Sequence, residues 1–304
     1  MEKNFYSNGK LLITSEYVVL DGAVALALPT KFGQSLHIEE GENQEFHWTS
    51  YDADKSIWFE DVISFSSIKE KEHFDDGENI KNRLIEILHE AYKINPDFIS
   101  NSNGYKITTE LTFPKNWGLG TSSTLINNIA HWLKIDAFEL LKKSFGGSGY
   151  DIACAQNDSG ILYQLVDEKP QIKTVHFSPS FEENIYFIYL NKKQNSRDAI
   201  SNYYNNSGSI YKEIPLFSAI TQDVVEAASM ESFSKLLEKH EILLSEILEQ
   251  STVKELYFSD FAGTIKSLGA WGGDFVMAIS KENPTEYFKS KGYDTILTYQ
   301  EMIL

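Results

Sequence analysis

Residues 114–123, Pro114-Lys115-Asn116-Trp117-Gly118-Leu119-Gly120-Thr121-Ser122-Ser123, combine two glycines and three hydroxyls with the start of a helical pattern. Such a run can cradle phosphate. Glycines let main-chain N–H groups approach oxygens closely, a helix N-terminus adds unpaired N–H groups and partial positive charge, and a hydroxyl can reach a metal ion. The same residues also read as a glycine turn with a Ser/Thr cap, and no Walker lysine follows them. A triphosphate held here must therefore find its cation elsewhere in the chain.

Lys10 follows Gly9 at the mouth of an apolar stretch, where a lysine taken alone reads as solvated. Glu16 and Tyr17, a few residues on, read as a strand-end charge and a packing ring. Gly146-Gly147-Ser148-Gly149-Tyr150-Asp151 puts a carboxylate directly after a glycine run and before the apolar Ile152-Ala153-Cys154-Ala155. Asp151 can then be a helix cap or a carboxylate that receives or orients a hydroxyl proton, and both readings stand. Lys266-Ser267-Leu268-Gly269-Ala270-Trp271-Gly272-Gly273-Asp274 is a second backbone-rich loop, before the strand-like Phe275–Ile279. It is either a plain turn or a close approach to a ligand. The seven histidines lack metal-ligand spacing, so no zinc site is expected.

The elements that must position these residues follow from periodicity. Residues 11–39 are rich in Val, Ile, Leu and Ala and read as strands, with Gly22 and Pro29 as punctuation; alternation continues from Phe46 to Phe65. Helical spacing marks 78–94, alternation returns at 105–112, and a helix opens at Thr121-Ser122-Ser123. Further strands are expected at 160–166, 184–190, 275–279 and 295–299, with helices at 214–250 and 284–291. Strands and helices lack a regular βαβ rhythm, which favours an α+β fold over a doubly wound sheet. The polar stretch Pro170 to Pro179 reads as the boundary between two lobes, 1–170 and 171–304.

Composition narrows the partners. A net charge of −17 disfavours nucleic acid and anionic membrane surfaces, so an anionic substrate must be met by local N–H groups and a few cations. Hydrophobic content of 42% is globular, and neither a membrane span nor a secretory leader is visible, so a cytoplasmic protein is expected. The one cysteine, Cys154, fits a reducing compartment, and the sequons at Asn157 and Asn205 read as chance matches.

Taken in order, the four segments resemble the GHMP kinase superfamily, which includes galactokinase, homoserine kinase, mevalonate kinase and phosphomevalonate kinase. Gly9–Tyr17 looks like the first motif, Pro114–Ser123 matches the phosphate loop P-x-x-x-G-L-G-S-S, Gly147–Asp151 looks like the S-G-x-D segment, and Lys266–Asp274 looks like the glycine-rich third motif. Glu16-Tyr17, Gly147–Asp151 and Gly272-Gly273-Asp274 look more like phosphomevalonate kinases than galactokinases or homoserine kinases, so phosphomevalonate or mevalonate kinases are the nearest in motif. The resemblance implies an N-terminal lobe with a mixed sheet and the phosphate loop, a C-terminal ferredoxin-like lobe, and ATP with Mg²⁺ as cofactors. It also implies roles: Asp151 and Lys10 catalytic; Pro114, Gly118, Leu119, Gly120, Thr121, Ser122 and Ser123 on the nucleotide; Ser122 on the metal, with Glu139 as a second candidate ligand. Glu16, Tyr17, Ser148, Gly149, Arg197, Gly269, Ala270, Gly272 and Gly273 would face the substrate, a small metabolite such as mevalonate or phosphomevalonate. Two departures stand out: Thr14-Ser15 replaces the usual glycine before Glu16, and Trp271 interrupts the third motif. A diphosphomevalonate decarboxylase, whose tyrosine-tryptophan-glycine-lysine signature is missing, and a catalytically silent nucleotide- or metabolite-binding protein are the alternatives. The oligomeric state, a homodimer among the options, is left open.

Overall fold

A computed structural model describes residues 2–74, 80–193, 200–201, 203–204 and 212–304. Alternation in 45–64 folds as an antiparallel pair, β3 (Glu45–Tyr51) with β4 (Ile57–Ser64), one face of which is buried. The chain groups into two compact units, and each is built from separated stretches.

The first unit takes residues up to Gly9, Phe32–Lys115 and Leu119–Gln156. In it, β3 runs parallel to β5 (Tyr105–Leu111), and β5 pairs antiparallel with Gln34–Glu40 of the long strand β2 (Ala25–Glu40). Helix α2 (Ile80–Ile94) buries Leu84, Ile87, Leu88 and Ala91, one stripe at helical spacing. These side chains pack with Leu36, Phe46, Trp48 and Ile107 from the strands and Ile126 and Ile129 from α4 (Thr121–Leu133). Each fully buried apolar side chain stabilises by about 1.5–3 kcal/mol. The expected strand ends at Ser64, because Ser64 accepts the Ser67 N–H and starts the short helix α1 (Phe65–Glu70). Phe65 and Ile68 are buried together at helical rather than alternating spacing.

The second unit takes Lys10–Lys31, Asn116–Gly118 and Asn157–Leu304. There Ala25–Ala27 of β2 pairs with β6 (Gly160–Val166), which forms a hairpin with β7 (Lys169–Val175). The connecting Asp167 and Glu168 both have positive φ, 50° and 60°, as a two-residue hairpin turn requires. The polar stretch expected as a linker at 170–179 therefore contains an edge strand, whose largely exposed residues hid it. Pro170 is tolerated because β7 has a free side. The last chain crossing between units falls at Gln156/Asn157, upstream of that stretch. Pro29 lies inside β2, between the segment pairing with β6 and the segment pairing with β5, so its missing N–H interrupts neither ladder.

Besides β1 (Lys3–Leu12), which pairs with β2, four further strands, β8 (Ile185–Tyr189), β9 (Thr264–Ser267), β10 (Phe275–Ile279) and β11 (Ile296–Thr298), form an antiparallel sheet ordered β11-β8-β10-β9. With helices Ile214–Val225 and Met230–Leu248 between its first and second strands and Thr285–Ser290 between its third and fourth, this is the expected ferredoxin-like arrangement. The stretch expected as one helix over 214–250 is two helices, because Ser229 caps the second by accepting the Ser232 N–H.

Candidate active site

The loop of residues 114–123 joins β5 to α4. Gly118 and Gly120 both take left-handed backbone, with φ of 71° and 101°. Gly120 occupies the N-cap position of α4, where a Ser or Thr was the alternative reading, and no side chain caps the helix there. The first-turn N–H groups of α4 are thus left for an acceptor from outside the helix. The Ser123 hydroxyl turns back to the Gly120 carbonyl at 2.9 Å, and Thr124 donates to the same carbonyl at 3.0 Å and to Gln34 Oε1 at 2.8 Å. Ser123 is buried, whereas Thr121 and Ser122 are part-exposed. Of the two serines, Ser122 is therefore the one able to meet a ligand. A fully buried amide network fixes α4 behind this end: Asn127 Nδ2 donates to Ser7 Oγ at 2.8 Å, Ser7 Oγ donates to Asn128 Oδ1 at 2.7 Å, and Asn128 Nδ2 donates to the Gln34 carbonyl at 2.9 Å.

The stretch Asn116–Gly118 belongs to the second unit, where side chains far apart in sequence hold it. Lys10 Nζ, from β1 (Lys3–Leu12), donates to the Gly118 carbonyl at 3.0 Å, so it is not the freely solvated lysine that its position suggests. The Tyr189 hydroxyl donates to the Asn116 carbonyl at 3.0 Å, and Trp117 packs edge-on against Phe275 with ring centroids 5.4 Å apart. The Asp274 carboxyl fills the space beside Gly118 in which a β-carbon would sit; its atoms lie 2.3–2.6 Å from that point. Burial, and then the Asp274 charge, push the Tyr189 hydroxyl pKa up, so it remains a donor.

Asp151 lies in the first turn of α6 (Tyr150–Ala155). The cap position is taken by Gly149 with φ 89°, which removes the reading of Asp151 as the N-cap. Its Oδ1 accepts the Ile152 N–H at 3.1 Å, and the side chain is part-buried, as is Ser148. Asp151 belongs to the first unit and Lys10 to the second.

Glu16 is placed in the interior of the second unit, where the resemblance would have it face substrate. At 1% exposure it meets Lys266 Nζ at 2.5 Å, and Lys266 meets Glu241 Oε2 at 3.2 Å. Glu241 Oε1 accepts both the Ser267 N–H at 3.1 Å and the Ser267 hydroxyl at 2.6 Å. His240 Nε2 accepts the Ser15 N–H at 2.6 Å, which puts the imidazole proton on Nδ1, and burial holds this ring neutral, its pKa well below the usual value. Burial outweighs the neighbouring ammonium for Glu16 and pushes its pKa up to about 7, while Lys266, facing two carboxylates, is held above its ordinary value. Glu241, facing the same ammonium, adds to burial in raising Glu16. Lys266, His240 and Glu241 carried no local signal in the sequence, since 250 residues separate Glu16 from Lys266.

Tyr17 is likewise mostly buried. Its ring stacks on Tyr203 at 5.5 Å, and its hydroxyl accepts the Trp271 N–H at 3.0 Å. Trp271 packs with Tyr17, Val18 and Leu244, so the residue that interrupts the third motif anchors the turn containing Gly269, Ala270, Gly272 and Gly273. Gly269 and Gly272 take φ of 68° and 81°. Ser15, standing where the first motif usually has glycine, adopts φ 64° and compensates with a bond from its hydroxyl to the Val24 carbonyl at 2.7 Å. The departure in sequence thus keeps a glycine-like backbone.

Glu139 is held by Lys143 at 2.6 Å in an exposed pair one turn apart on α5 (Ala137–Ser144), which gives a metal role no support. Arg197 lies outside the described residues. Among the described residues, Glu2, His37 and Glu39 bring ligand atoms within 4.8 Å of one another, none of them a residue expected at the site.

No protein-family model matches the chain, and no curated protein matches it. Solved structures do. The Methanococcus jannaschii mevalonate kinase superposes with a TM-score of 0.70 at 17% identity, covering 98% of this chain and 97% of that one. Streptococcus pneumoniae phosphomevalonate kinase in complex with phosphomevalonate and AMPPNP gives 0.67 at 17% identity, covering 95% of each chain. Lactococcus lactis galactokinase complexed with galactose gives 0.63 at 13%, covering 95% of this chain and 88% of that one. Together with a ferredoxin-like sheet and a glycine loop opening a helix, these superpositions over nearly the full length show that the chain has the GHMP kinase fold.

Proposed function

We propose that the chain is an Mg-ATP-dependent kinase of a small metabolite, with mevalonate or phosphomevalonate as the favoured acceptor. The observation that carries this reading is the end of α4, where a glycine cap leaves helix N–H groups open beside a part-exposed serine hydroxyl in a chain with this fold. Main-chain N–H groups of residues 119–123 would hold the phosphates, as a helix N-terminus does for anions. The same end suits a metal ion, because Ser122 offers a hydroxyl oxygen while Ser123 is bonded inward. Bound there, Mg²⁺ would neutralise charge on the phosphate oxygens.

Asp151 would receive the proton of the acceptor hydroxyl as its oxygen bonds to the γ-phosphorus and the bond to the β-phosphate oxygen breaks, releasing ADP. Lys10 would supply the cation that the phosphate loop itself lacks. The mevalonate-route acceptor is supported by Gly272-Gly273-Asp274 and by the acceptors named for two of the similar structures. Cys154, the one cysteine, is buried and outside any disulfide, which supports a reducing, cytoplasmic setting.

The test is ADP release by purified protein with ATP, Mg²⁺ and, separately, mevalonate, phosphomevalonate, galactose and homoserine. Turnover with one of the first two supports the specific reading. Turnover only with another acceptor leaves the kinase and removes the mevalonate route, and no ADP above background with any of them removes the activity.

A further inference from the structure

We propose that Ser7, Asn127, Asn128 and Gln156 are positioning residues: a one-way chain of side-chain hydrogen bonds fixes α6, which carries Asp151, against α4, which carries Ser122. The inference rests on the kinase reading, in which those two side chains serve the acceptor hydroxyl and the metal ion.

All four residues, both helices and Gln34 belong to the first unit. The apolar part of the packing is ordinary, since Ile126 and Ile129 of α4 share one core with Ile152 of α6. Asn127 and Asn128 are both fully buried on α4, where alanine or leucine would favour the helix more and need no partner. Their amides are engaged end to end. Gln156, the residue after the last turn of α6, donates from Nε2 to Asn127 Oδ1 at 2.9 Å. Asn127 Nδ2 donates to Ser7 Oγ at 2.8 Å, Ser7 Oγ to Asn128 Oδ1 at 2.7 Å, and Asn128 Nδ2 to the Gln34 carbonyl at 2.9 Å.

The last acceptor settles the sense of the whole chain. A main-chain carbonyl can only accept, so Asn128 turns its NH₂ group to Gln34 and its oxygen to Ser7. Ser7 must then donate to Asn128, Asn127 must donate to Ser7, and Gln156 must donate to Asn127. Reversing any one amide sets two acceptors or two donors face to face. Apolar side chains tolerate small sliding of one helix on another, whereas a buried polar chain with one permitted sense fixes the register. Asn127 lies five residues beyond Ser122 (122 to 127), and Gln156 five beyond Asp151 (151 to 156). At 1.5 Å per residue each is about 7–8 Å of helix, so the bond between them joins the helices within two turns of both side chains. Phosphoryl transfer is sensitive to misplacement of its groups by about 1 Å.

The experiment measures kcat and the KM for ATP by ADP release, Mg-AMPPNP affinity by calorimetry, and the unfolding midpoint. The acceptor is whichever of mevalonate, phosphomevalonate, galactose and homoserine the unmodified protein turns over. The variants are Gln156→Met, Gln156→Glu, Ser7→Ala and, as a packing control, Ile129→Val. Gln156→Met removes one donor from an exposed residue and should lower kcat about tenfold or more, with a nearly unchanged midpoint. Its Mg-AMPPNP affinity and KM for ATP should stay within about threefold of the parent. Gln156→Glu keeps the shape but cannot donate when ionised, so its kcat should fall at least as far. Ser7→Ala breaks the middle of the chain and should lower both kcat and the midpoint; should it fail to fold, the two Gln156 variants decide alone. Ile129→Val should lower the midpoint by about 1–6 °C and leave kcat within about twofold. Unchanged kcat in Gln156→Met overturns the proposal, as does a Gln156→Glu protein as active as its parent. A loss of nucleotide affinity equal to the loss in kcat, or an Ile129→Val protein that loses as much kcat as Gln156→Met, overturns it too. No turnover by the unmodified protein with any of the four acceptors removes the kinase reading and this role with it, whereas the other failures leave the kinase reading standing.

Discussion

Replacing Lys266 with methionine tests the buried ion cluster most directly. The substitution keeps an unbranched side chain of similar length and removes the one ammonium that Glu16 and Glu241 share at 2.5 and 3.2 Å. All three side chains are at most 4% exposed, so water cannot substitute for the lost partner. Breaking a buried pair in this way costs roughly 3–5 kcal/mol, a large part of the 5–15 kcal/mol by which a typical domain is stable. At about 2–4 °C per kcal/mol, the unfolding midpoint should fall by roughly 6–20 °C.

The pH dependence supplies a second, signed measurement. The folded-state pKa of Glu16 is raised from 4.5 to about 7, so the native state binds the extra proton between those values. Its stabilising contribution is complete below about 4.5 and is lost as pH rises through about 7. His240 acts in the opposite direction: buried neutral, it costs stability below its ordinary pKa of 6.5, where the unfolded chain takes up a proton. The two slopes oppose one another between 4.5 and 6.5. Glu16→Gln should therefore leave the His240 slope exposed, and urea denaturation between pH 5 and 6.5 should show stability rising with pH more steeply than in the unmodified protein. A Lys266→Met protein as stable as its parent, or a Glu16→Gln protein with an unaltered pH profile, would refute the reasoning.

Further outcomes follow from the site. Asp151→Asn should abolish turnover and leave Mg-AMPPNP affinity largely intact, which calorimetry and an ADP assay check together; retained turnover would remove its role as proton acceptor. Ser122→Ala should raise the Mg²⁺ concentration needed for half-maximal activity, while Ser123→Ala, whose hydroxyl bonds inward to Gly120, should change stability more than metal dependence. Tyr17→Phe leaves the buried Trp271 N–H without its acceptor and should cost about 1–3 kcal/mol in chemical denaturation.

Much of this architecture was legible locally. The α2 stripe, the all-apolar β10 and the glycine entry to α4 each carry their signal within a dozen residues. Where the reading failed, a competing local rule was hidden. Ser64 ended a strand by capping a helix, Ser229 divided one helical pattern into two, and β7 looked like a linker because an edge strand with exposed polar residues and a proline has little to distinguish it. At the candidate site, the glycine loop entering α4 was visible because glycine and hydroxyl spacing is a local property. Lys266, Glu241 and His240 were not, because their meaning arises only when β9 and the Met230–Leu248 helix face the residues after β1. Glu16 was recognised as special but given an outward role, since a motif reports a position and not its solvent exposure.

The interleaving of the two units has a practical result for anyone dissecting the molecule. A fragment cut at the Gln156/Asn157 crossing would contain β9 and the Met230–Leu248 helix but not residues 10–31. Its Lys266 would keep Glu241 and lose Glu16, and its β6 would lose the Ala25–Ala27 ladder and become a bare edge. Expression of the C-terminal half alone should consequently yield insoluble protein, rescued by co-expressing a peptide that spans residues 10–31.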